Sequence, residues 1–355
     1  MKQVLVTLCM VCFSVGTSYH ASKEFSGKTF FDDWLFYDDV DNLTNGMVVF
    51  ASASSAAKTK LAYINSAGNA IMRVDNTTTL KLGQKRNSVR ISSKDRFAVG
   101  SVWVADMLHV PFGCSTWPAF WSQAEVWPEG GEIDTFEGVN QIGQNTMSLH
   151  TEPGCTHQAN ATQSSTIINT IDCDSRANAN SGCGVADPNN SSYGAPFARA
   201  GGGVFVTEFA ETGISVWFFS RQSVPSTLQN NASTLDTSTL GLPVANWPTA
   251  SCAINQYFAP QRLIFDITLC GDFAGQSSVF AKTCPGLCYE DWVLGPPSNF
   301  DDAYFEVQSV RVYSADGLDT VIVGSGAFSR WTGRLWWVGV VGVLIGMHFD
   351  FGHVV

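Results

Sequence analysis

Short runs in which apolar and polar residues alternate, or in which apolar residues are continuous, recur along the 355 residues of this chain. Such runs are typical of β-strands, because successive side chains of a strand point to opposite faces. Few segments show a helical period, and clusters of Gly, Pro, Asn and Ser separate the runs. The pattern predicts strands at 46–51, 88–92, 100–107, 147–151, 203–209, 214–219, 262–269 and 303–313. We therefore predict an all-β sandwich.

Two stretches rich in small and polar residues, 156–197 and 230–249, interrupt this pattern. The first also contains cysteines, which favours a surface excursion held by disulfides over a separate domain. The second has the composition of a further loop. Neither stretch repeats another part of the chain.

The N-terminus has Lys2, an apolar run over 4–15 and then small and polar residues. This order indicates a secretory signal peptide, and the run is too short to span a membrane. We expect cleavage between residues 15 and 21, and a buried first strand is the competing interpretation. The predicted divisions are a signal peptide at 1–20, a catalytic domain at 21–318 and a tail at 319–355.

The tail contains thirteen uncharged residues, LWWVGVVGVLIGM, at 335–347. Small residues at 324–327 and a short spacer precede it, as in a glycosylphosphatidylinositol attachment signal. His348, Asp350 and His353 interrupt the apolar run. A membrane helix, which needs about 20 apolar residues, and an extension without a folded role are the other interpretations. We expect membrane attachment only if the tail is an anchor signal.

Ten cysteines are present, and Cys9 and Cys12 lie within the predicted signal peptide. The remaining even number predicts four disulfides in a secreted protein, with the pairing left open, and irregular spacing disfavours the alternative of a zinc site. Asn-x-Ser/Thr sequons support the secretory route. They begin at Asn42, Asn76, Asn160, Asn189, Asn190 and Asn231.

The net charge of −11 argues against nucleic acid as a partner, because phosphates need a basic surface. Only 14% of the residues are charged, yet Glu132, Asp134 and Glu137 occupy three of the six positions 132–137. In a strand Glu132 and Asp134 share a face and Glu137 is out of phase by one residue. A β-bulge between Asp134 and Glu137 would bring all three carboxylates to one face.

Two same-face steps would separate the Cα atoms of Glu132 and Glu137 by roughly 13 Å. Side chains that lean toward each other would bring the carboxyl groups to about 5–6 Å, the separation of a retaining rather than an inverting glycosidase. Glu132 would attack the sugar, Glu137 would exchange a proton and Asp134 would tune both. A solvated acidic turn and a calcium loop are the alternatives, although the ligand spacing of a helix–loop–helix calcium site is absent.

Further segments extend the pattern around these carboxylates. They are GCSTWPAFW at 113–121, GEIDTFEGVN at 131–140, QNTMSLHT at 144–151, GGGVFVTE at 201–208, ISVWFF at 214–219, LIFDITLCGDFAG at 263–275 and AYFEVQSVRVY at 303–313. Together they resemble glycoside hydrolase family 16, specifically the fungal laminarinase-like endo-1,3(4)-β-glucanases. The resemblance implies a concanavalin A-like jelly roll with a concave substrate cleft. It also implies that Glu132 is the nucleophile, Asp134 the assisting carboxylate and Glu137 the acid/base.

Aromatic and polar residues near the motif are candidates for sugar binding, because indole rings pack on the apolar faces of sugars while polar groups bind the hydroxyls. Core packing is the alternative for the tryptophans, a structural role for the histidine and a surface loop for the others. The candidates are Trp117, Trp121, Trp127, His150, Asn45 and Arg86. Phe209 and Phe273 stand where close relatives are expected to have tryptophan.

The sequence therefore predicts a secreted retaining endo-β-glucanase that cuts β-1,3 and mixed β-1,3/1,4 linkages, attached to the cell surface if the tail is an anchor signal. We expect a monomer that binds β-glucan and needs no cofactor or metal. A cell-wall transglycosylase is the nearest alternative, because a sugar hydroxyl can intercept the same covalent intermediate. A glucan-binding lectin on the same scaffold is a second alternative.

Overall fold

The computed structural model describes residues 18–229 and 232–324. Two large antiparallel sheets dominate this part of the chain, so the prediction of an all-β sandwich is confirmed. The strands are β1 Ser18–Ser26, β2 Trp34–Phe36, β3 Val48–Phe50, β4 Ala62–Ile64, β5 Ala70–Arg73, β6 Arg86–Ser88, β7 Arg90–Ser93, β8 Arg96–Phe97, β9 Ser101–His109, β10 Thr116–Gln123, β11 Glu132–Glu137, β12 Thr146–His150, β13 Thr166–Ile168, β14 Gly184–Ala186, β15 Gly203–Ala210, β16 Gly213–Ser220, β17 Thr234–Asp236, β18 Ala245–Pro248, β19 Arg262–Leu269, β20 Tyr304–Ala315 and β21 Val321–Ile322.

Helices in the described residues are short and lie between strands. The α-helices are α1 Ala53–Lys58, α2 Gly194–Arg199, α3 Ile254–Tyr257, α4 Gly271–Ala274 and α5 Ser277–Phe280. Turns of 3₁₀-helix occur at Gly27–Asp33, Asn178–Asn180, Arg221–Ser223, Ser226–Leu228, Thr237–Leu240 and Pro297–Phe300, and a π-helical turn at Cys288–Val293. None of the described helices is long and apolar enough to cross a membrane.

One sheet, here called the site sheet, has the order β13-β14-β12-β11-β10-β19-β7-β2. The other, the backing sheet, has the order β17-β1-β20-β9-β15-β16-β18, with β4 and β5 attached at β20. Each strand of the predicted set falls in one of these sheets or, for the run at 46–51, in the small parallel pair of β3 and β6. Neighbouring strands in the site sheet are often distant in sequence, as in β10 beside β19.

Aromatic side chains fill the space between the two sheets. Phe136 of the site sheet packs against Phe205 of the backing sheet with ring centroids 5.6 Å apart, and Phe265 packs against Phe305 at 5.2 Å. All four residues are buried. Such ring pairs contribute about 0.5–1.5 kcal/mol each beyond the area that they bury. The site sheet is therefore held on a rigid support.

A second, smaller apolar cluster covers the outer face of the backing sheet. Leu235 and Leu240 pack there with Val104 and Trp217, and all four are buried. The segment predicted as a loop at 230–249 thus contains two strands, β17 and β18, and the residues that cover this cluster, while residues 230 and 231 lie outside the described residues. Its side chains remove one face of the backing sheet from water.

Four disulfides link the eight cysteines at 114–288, as predicted from their even number. The pairs are Cys114–Cys284, Cys155–Cys252, Cys173–Cys183 and Cys270–Cys288. Cys155–Cys252 joins the residue just before the predicted excursion at 156–197 to the segment after β18, and Cys173–Cys183 closes a loop within the excursion. Disulfides of this number are typical of proteins that fold in an oxidising compartment.

The ends of the described residues bear on the predicted domain boundaries. β1 begins at Ser18, and Tyr19 is buried with its hydroxyl donating to Glu208 (2.8 Å). Cleavage after residue 20 would remove this contact, whereas cleavage earlier in the predicted window would keep β1 whole. At the other end Thr320 is buried and β21 pairs with β8 beyond the predicted limit at 318. The apolar tail and most of the signal peptide lie outside the described residues.

Candidate active site

Strand β11 presents its three carboxylates on the outer face of the site sheet. The pairing with β12 is regular from Glu132 to Asp134, shifts, and resumes at Glu137. The register against β10 shows the same irregularity, because Phe136 pairs with Phe120 and Asp134 with Trp121. The predicted bulge is therefore confirmed, and Thr135 is the residue without a partner across β10.

Two consecutive residues of the bulge, Thr135 and Phe136, point into the core. Phe136 is fully buried, and the Thr135 hydroxyl lies 2.6 Å from that of Thr207 on the backing sheet. The indole of Trp103 also donates to Thr135 Oγ1 at 3.4 Å. A buried hydroxyl needs such partners, because an unpaired polar group in the core is costly. The core contacts leave Glu137 to face outward.

The side chain of Asn145 closes the backbone gap that the bulge opens. Its Oδ1 accepts from the Glu137 N–H at 2.9 Å, and its Nδ2 donates to the Thr135 carbonyl at 3.0 Å. Asn145 is itself fully buried. One amide thus replaces the ladder hydrogen bonds lost at the extra residue, and fixes the backbone of Glu137.

Asn145→Ala is expected to lower kcat about tenfold and to reduce stability by about 2–4 kcal/mol, since it leaves a buried donor and a buried acceptor unpaired. Asn145→Asp keeps the acceptor for Glu137 but sets a carboxylate against the Thr135 carbonyl, so it should lose most of the same activity. Steady-state kinetics and thermal unfolding measure both effects. Gln144→Ala, next in sequence and partly exposed, is the control, and equal behaviour of the two alanine variants would contradict this role.

Indole N–H groups reach carboxylates across this face. Trp117 donates to Glu137 Oε1 at 2.8 Å, and Trp127 donates to Glu132 Oε2. Trp121 donates instead to Asp266 Oδ1 at 3.2 Å. The structure thus places the three predicted tryptophans beside acids on the outer face, and sugar stacking by them stays a prediction.

Asp134 is held between its two neighbours by a hydrogen-bonded pair on β12. Ser148 Oγ donates to Asp134 Oδ2 at 2.5 Å, and His150 Nε2 lies 3.3 Å from the same oxygen. Both side chains are buried, with His150 7% and Asp134 3% exposed. On its other side His150 Nδ1 lies 2.9 Å from the Asn180 side-chain oxygen. His150 therefore joins the carboxylate cluster, and its contact with a sugar hydroxyl stays a prediction.

Burial and mutual repulsion set the protonation of this cluster. Burial raises the pKa of Glu132 and of Glu137 well above the ordinary value of 4.5, and the Asp134 charge adds to both shifts. Burial alone would lower the pKa of His150, but the Glu132 and Asp134 carboxylates outweigh it and raise that pKa to about 10. The site therefore has carboxyl groups able to hold a proton near neutral pH beside a cationic imidazole.

Among the described residues, one group of acidic and histidine side chains is compact enough to enclose a metal ion. It consists of Glu132, Asp134 and His150, whose donor atoms lie within 4.8 Å of one another. A protonated imidazole has no lone pair for a metal, and Asp134 already accepts from Ser148. We therefore assign the group to proton chemistry.

Two charged residues on the same face were not among the sequence candidates. Asp266 on β19 faces outward beside Ala119, and burial raises its pKa to about 7, an effect that Arg90 opposes. The guanidinium of Arg90 lies 5.3 Å from the Trp121 ring and 5.1 Å from that of Tyr37. An acid in the middle of the apolar run 262–269 was the signal that could have identified Asp266.

Arg86, in contrast, is a correction to the sequence-based expectation. It is 0% exposed, and its guanidinium donates to the backbone carbonyls of Asp75, Thr78 and Val293. It also lies over the Phe300 ring at 4.7 Å. Because its guanidinium donates to these backbone carbonyls, Arg86 stabilises the loops and does not reach the outer face of the site sheet.

The remaining candidates lie at the edge of the site. Asn45 is exposed, and its side chain donates to the Asp272 carboxylate at 2.9 Å. The adjacent Phe273 packs edge-on against Trp117 with centroids 5.4 Å apart. Phe209 is fully buried in the core near Trp103, on the inner side of the backing sheet and away from the outer face of the site sheet.

Comparisons with known proteins agree with this geometry. The model of the XgeA-like catalytic domain of glycoside hydrolase family 16 matches residues 34–313. A probable glycosidase of Schizosaccharomyces pombe is 39% identical over 299 residues, which cover 83% of this chain and 69% of that protein. An endo-1,3(4)-beta-glucanase of Emericella nidulans is 34% identical over 85% of this chain and 48% of that protein. The chain thus spans about half the length of several curated relatives.

Solved structures with similar sequences share the fold. Laminarinase 16A from Phanerochaete chrysosporium, solved with 6-O-glucosyl-laminaritriose in donor and acceptor sites, is 38% identical, with a TM-score of 0.80 over 84% of this chain and 100% of that one. An elongating family 16 β-1,3-glucosyltransferase is 37% identical, with a TM-score of 0.76 over 83% of this chain and 100% of that one. The jelly-roll prediction is confirmed, and the chain belongs to glycoside hydrolase family 16, with an XgeA-like catalytic domain.

Proposed function

We propose that this protein is a secreted, retaining endo-β-glucanase that hydrolyses β-1,3 linkages and also accepts mixed β-1,3/1,4-glucans. The observation that carries the proposal is the bulge in β11, which brings Glu137 to the face that holds Glu132 and Asp134. A regular strand would have directed Glu137 into the core. The names of the similar proteins, endo-1,3(4)-beta-glucanase and laminarinase, support the choice of substrate.

The first half of the reaction forms a covalent sugar–enzyme ester. Glu132 attacks the anomeric carbon while the bond from that carbon to the leaving sugar oxygen breaks, and the Glu137 carboxyl delivers its proton to this oxygen. A raised pKa suits Glu137 to this task, because the group must be protonated when the substrate binds. Cationic His150 lowers the pKa of Glu132 and so favours the attacking carboxylate.

The second half reverses the roles of the same groups. Glu137, now a carboxylate, takes a proton from water, the water oxygen attacks the anomeric carbon, and the bond to Glu132 breaks. Two inversions give net retention. Asp134, fixed by Ser148 and His150, holds negative charge between the two glutamates and raises the pKa of both.

Transglycosylation is the second candidate function. It uses the same intermediate with a sugar hydroxyl in place of water, and one structural relative is an elongating β-1,3-glucosyltransferase. The geometry of the carboxylates favours neither acceptor. A glucan-binding lectin is less well supported, because two clustered glutamates with raised pKa values are unnecessary for binding alone.

Side-by-side digestion of laminarin, lichenan and cellulose tests the proposal. We expect shorter reducing oligosaccharides from the first two and none from cellulose, with the β-anomer appearing first in proton NMR. Digestion in ¹⁸O-labelled water should place the label at the new reducing ends. Unlabelled, lengthened products would favour the transferase, an initial α-anomer would refute retention, and binding without any new products would favour the lectin.

Secretion is part of the proposal and rests on the signal-like N-terminus together with four disulfides. Disulfides persist mainly in oxidising compartments. Expression with the native N-terminus in a eukaryotic host should yield protein in the medium, and N-terminal sequencing should find a start at or before Ser18. A start after Tyr19 would contradict the role of that residue in β1.

A further inference from the structure

The disulfide Cys173–Cys183 closes a loop, here called the His150 loop (residues 173–183), against the end of β12. The Cys173 carbonyl accepts from the Thr151 N–H at 2.8 Å, and the Cys183 N–H donates to the Leu149 carbonyl at 3.2 Å. The two ends of the loop are thus bound to the residues on either side of His150. The disulfide and these bonds place the loop directly over the imidazole.

Two residues of the His150 loop contact the ring itself. Asn180 Oδ1 lies 2.9 Å from His150 Nδ1. At Gly182, where φ is +59°, a Cβ atom would lie 2.7 Å from His150 Nε2 and 2.8 Å from Cε1. No other residue type fits there without displacing the ring or the loop, so the ring is held between the loop backbone and the site sheet.

These contacts select the protonation state of His150. The Asn180 oxygen accepts a hydrogen bond, so Nδ1 must carry a proton. On the opposite edge Nε2 faces the Asp134 carboxylate, which also requires a proton on the ring. Only the imidazolium satisfies both acceptors at once, because neutral imidazole has a single N–H.

We propose that Asn180 is a positioning residue of the active site: through the disulfide-closed loop it orients His150 and keeps it cationic beside Asp134 and Glu132. The inference rests on the proposed function, in which Glu132 must be ionised to attack. Asn180 contacts neither catalytic glutamate in the hydrogen-bond network and acts only through the imidazole.

The charged groups around His150 lie on β11, on the His150 loop and just after β12. Glu132, Asp134 and Glu137 on β11 all stabilise the imidazolium. On the His150 loop Asp174 pairs with Arg176 at 3.3 Å, and Arg176 also pairs with Glu152 at 3.0 Å. Arg176 is exposed in both ion pairs, so water and salt partly screen the effect of these charges on His150. Loss of the Asn180 acceptor would therefore shift His150 toward neutrality without a compensating change on the loop.

The loop offers a matched control for the test. Asn178 and Asn180 both have left-handed backbone conformations, with φ of 51° and 58°, and both are exposed. Glycine adopts this conformation without strain, so Asn→Gly removes the amide at either position at similar backbone cost. Only Asn180 bonds His150, whereas Asn178 Nδ2 donates weakly to Thr170 at 3.5 Å.

The experiment measures kcat and KM on laminarin from pH 4 to 9 for the unmodified protein, Asn180→Gly, Asn178→Gly and Asn180→Asp, with thermal unfolding of each. We expect Asn180→Gly to lower kcat about tenfold with KM within about twofold. The loss should grow toward pH 9, because removal of the acceptor lowers the His150 pKa from about 10 and the imidazole then begins to lose its proton within the measured range. Asn180→Asp, which keeps the acceptor, should stay near the unmodified rate, as should Asn178→Gly.

Each other outcome overturns the inference. Equal kinetics of Asn180→Gly and Asn178→Gly would show that the Asn180 contact has no role. A rise in KM at constant kcat would make Asn180 a substrate contact instead. Equal losses at both positions with lowered unfolding temperatures would mean that the loop is merely structural. Failure of the unmodified protein to cleave laminarin would reject the proposed function itself, which separates the two tests.

Discussion

Glu132→Gln is expected to abolish release of sugars from laminarin, with kcat lower by on the order of 10⁴-fold or more. The amide has the shape of the carboxylate and can still accept from the Trp127 indole, but it cannot displace the leaving sugar. Binding should persist, so titration calorimetry with laminarin oligosaccharides should give an affinity within a fewfold of the unmodified protein.

Glu129→Gln provides the control for this variant, because Glu129 is an exposed glutamate just before the same strand. It should have full activity. Oligosaccharide release from the Glu132 variant at the unmodified rate would reject Glu132 as the nucleophile. Loss of both binding and activity would mean that the substitution disturbs the site rather than the chemical step.

Glu137→Gln is expected to lower kcat on laminarin by about 10²–10⁴-fold, the usual contribution of general acid–base catalysis. An aryl β-laminaribioside with a good leaving group needs no acid for the first step, so this substrate should still form the covalent intermediate. Added azide, which needs no base to attack, should then release the β-glycosyl azide. The measurement is the rate and the anomeric configuration of that product.

The configuration of the azide product separates the two glutamates. Azide that replaces a missing nucleophile attacks the substrate directly and gives the α-product, whereas azide that attacks an existing intermediate gives the β-product. A β-azide from the Glu137 variant supports the assigned roles. An α-azide from that variant would exchange the roles of Glu132 and Glu137.

The same variant also has an expected effect on stability. Burial raises the pKa of Glu137 from 4.5 in the unfolded chain to about 7 in the folded protein. At pH values between these two pKa values the folded protein binds more protons than the unfolded chain. Stability is therefore lost as the pH rises through this window. A glutamine does not titrate, so the unfolding temperature of Glu137→Gln relative to the unmodified protein should rise by about 2–5 °C between pH 4 and pH 8. A pH-independent difference would contradict the raised pKa.

The bulge could be predicted from the sequence because side chains alternate between the two faces of a strand. Carboxylates at 132, 134 and 137 can share a face only if the strand contains one extra residue. The sequence could not distinguish Arg86 from Arg90. The two lie four positions apart, at equal parity, and only the packing of distant loops shows that the carbonyls at Asp75, Thr78 and Val293 take up Arg86.

Two asparagines show a second limit of sequence reasoning. Asn145 and Asn180 lie in polar surroundings where many asparagines occur, and their roles depend on a backbone gap at Glu137 and on a ring at position 150. Neither partner is visible in local composition. The number of disulfides was likewise predictable, from the even number of cysteines outside the signal peptide. Their pairing was not, because it depends on which loops meet in space.

The extra residue in β11 makes a hydrogen bond between the two sheets of the sandwich. Thr135 brings a hydroxyl into an apolar interior, and its partner, Thr207, is 72 positions away on the opposite layer. In a homologue whose acidic motif is one residue shorter, that hydroxyl would be absent, and an alkyl side chain at position 207 would be the better neighbour. Motif length and the residue at 207 should thus co-evolve, a correlation that can be sought in an alignment of homologues whose motifs differ in length.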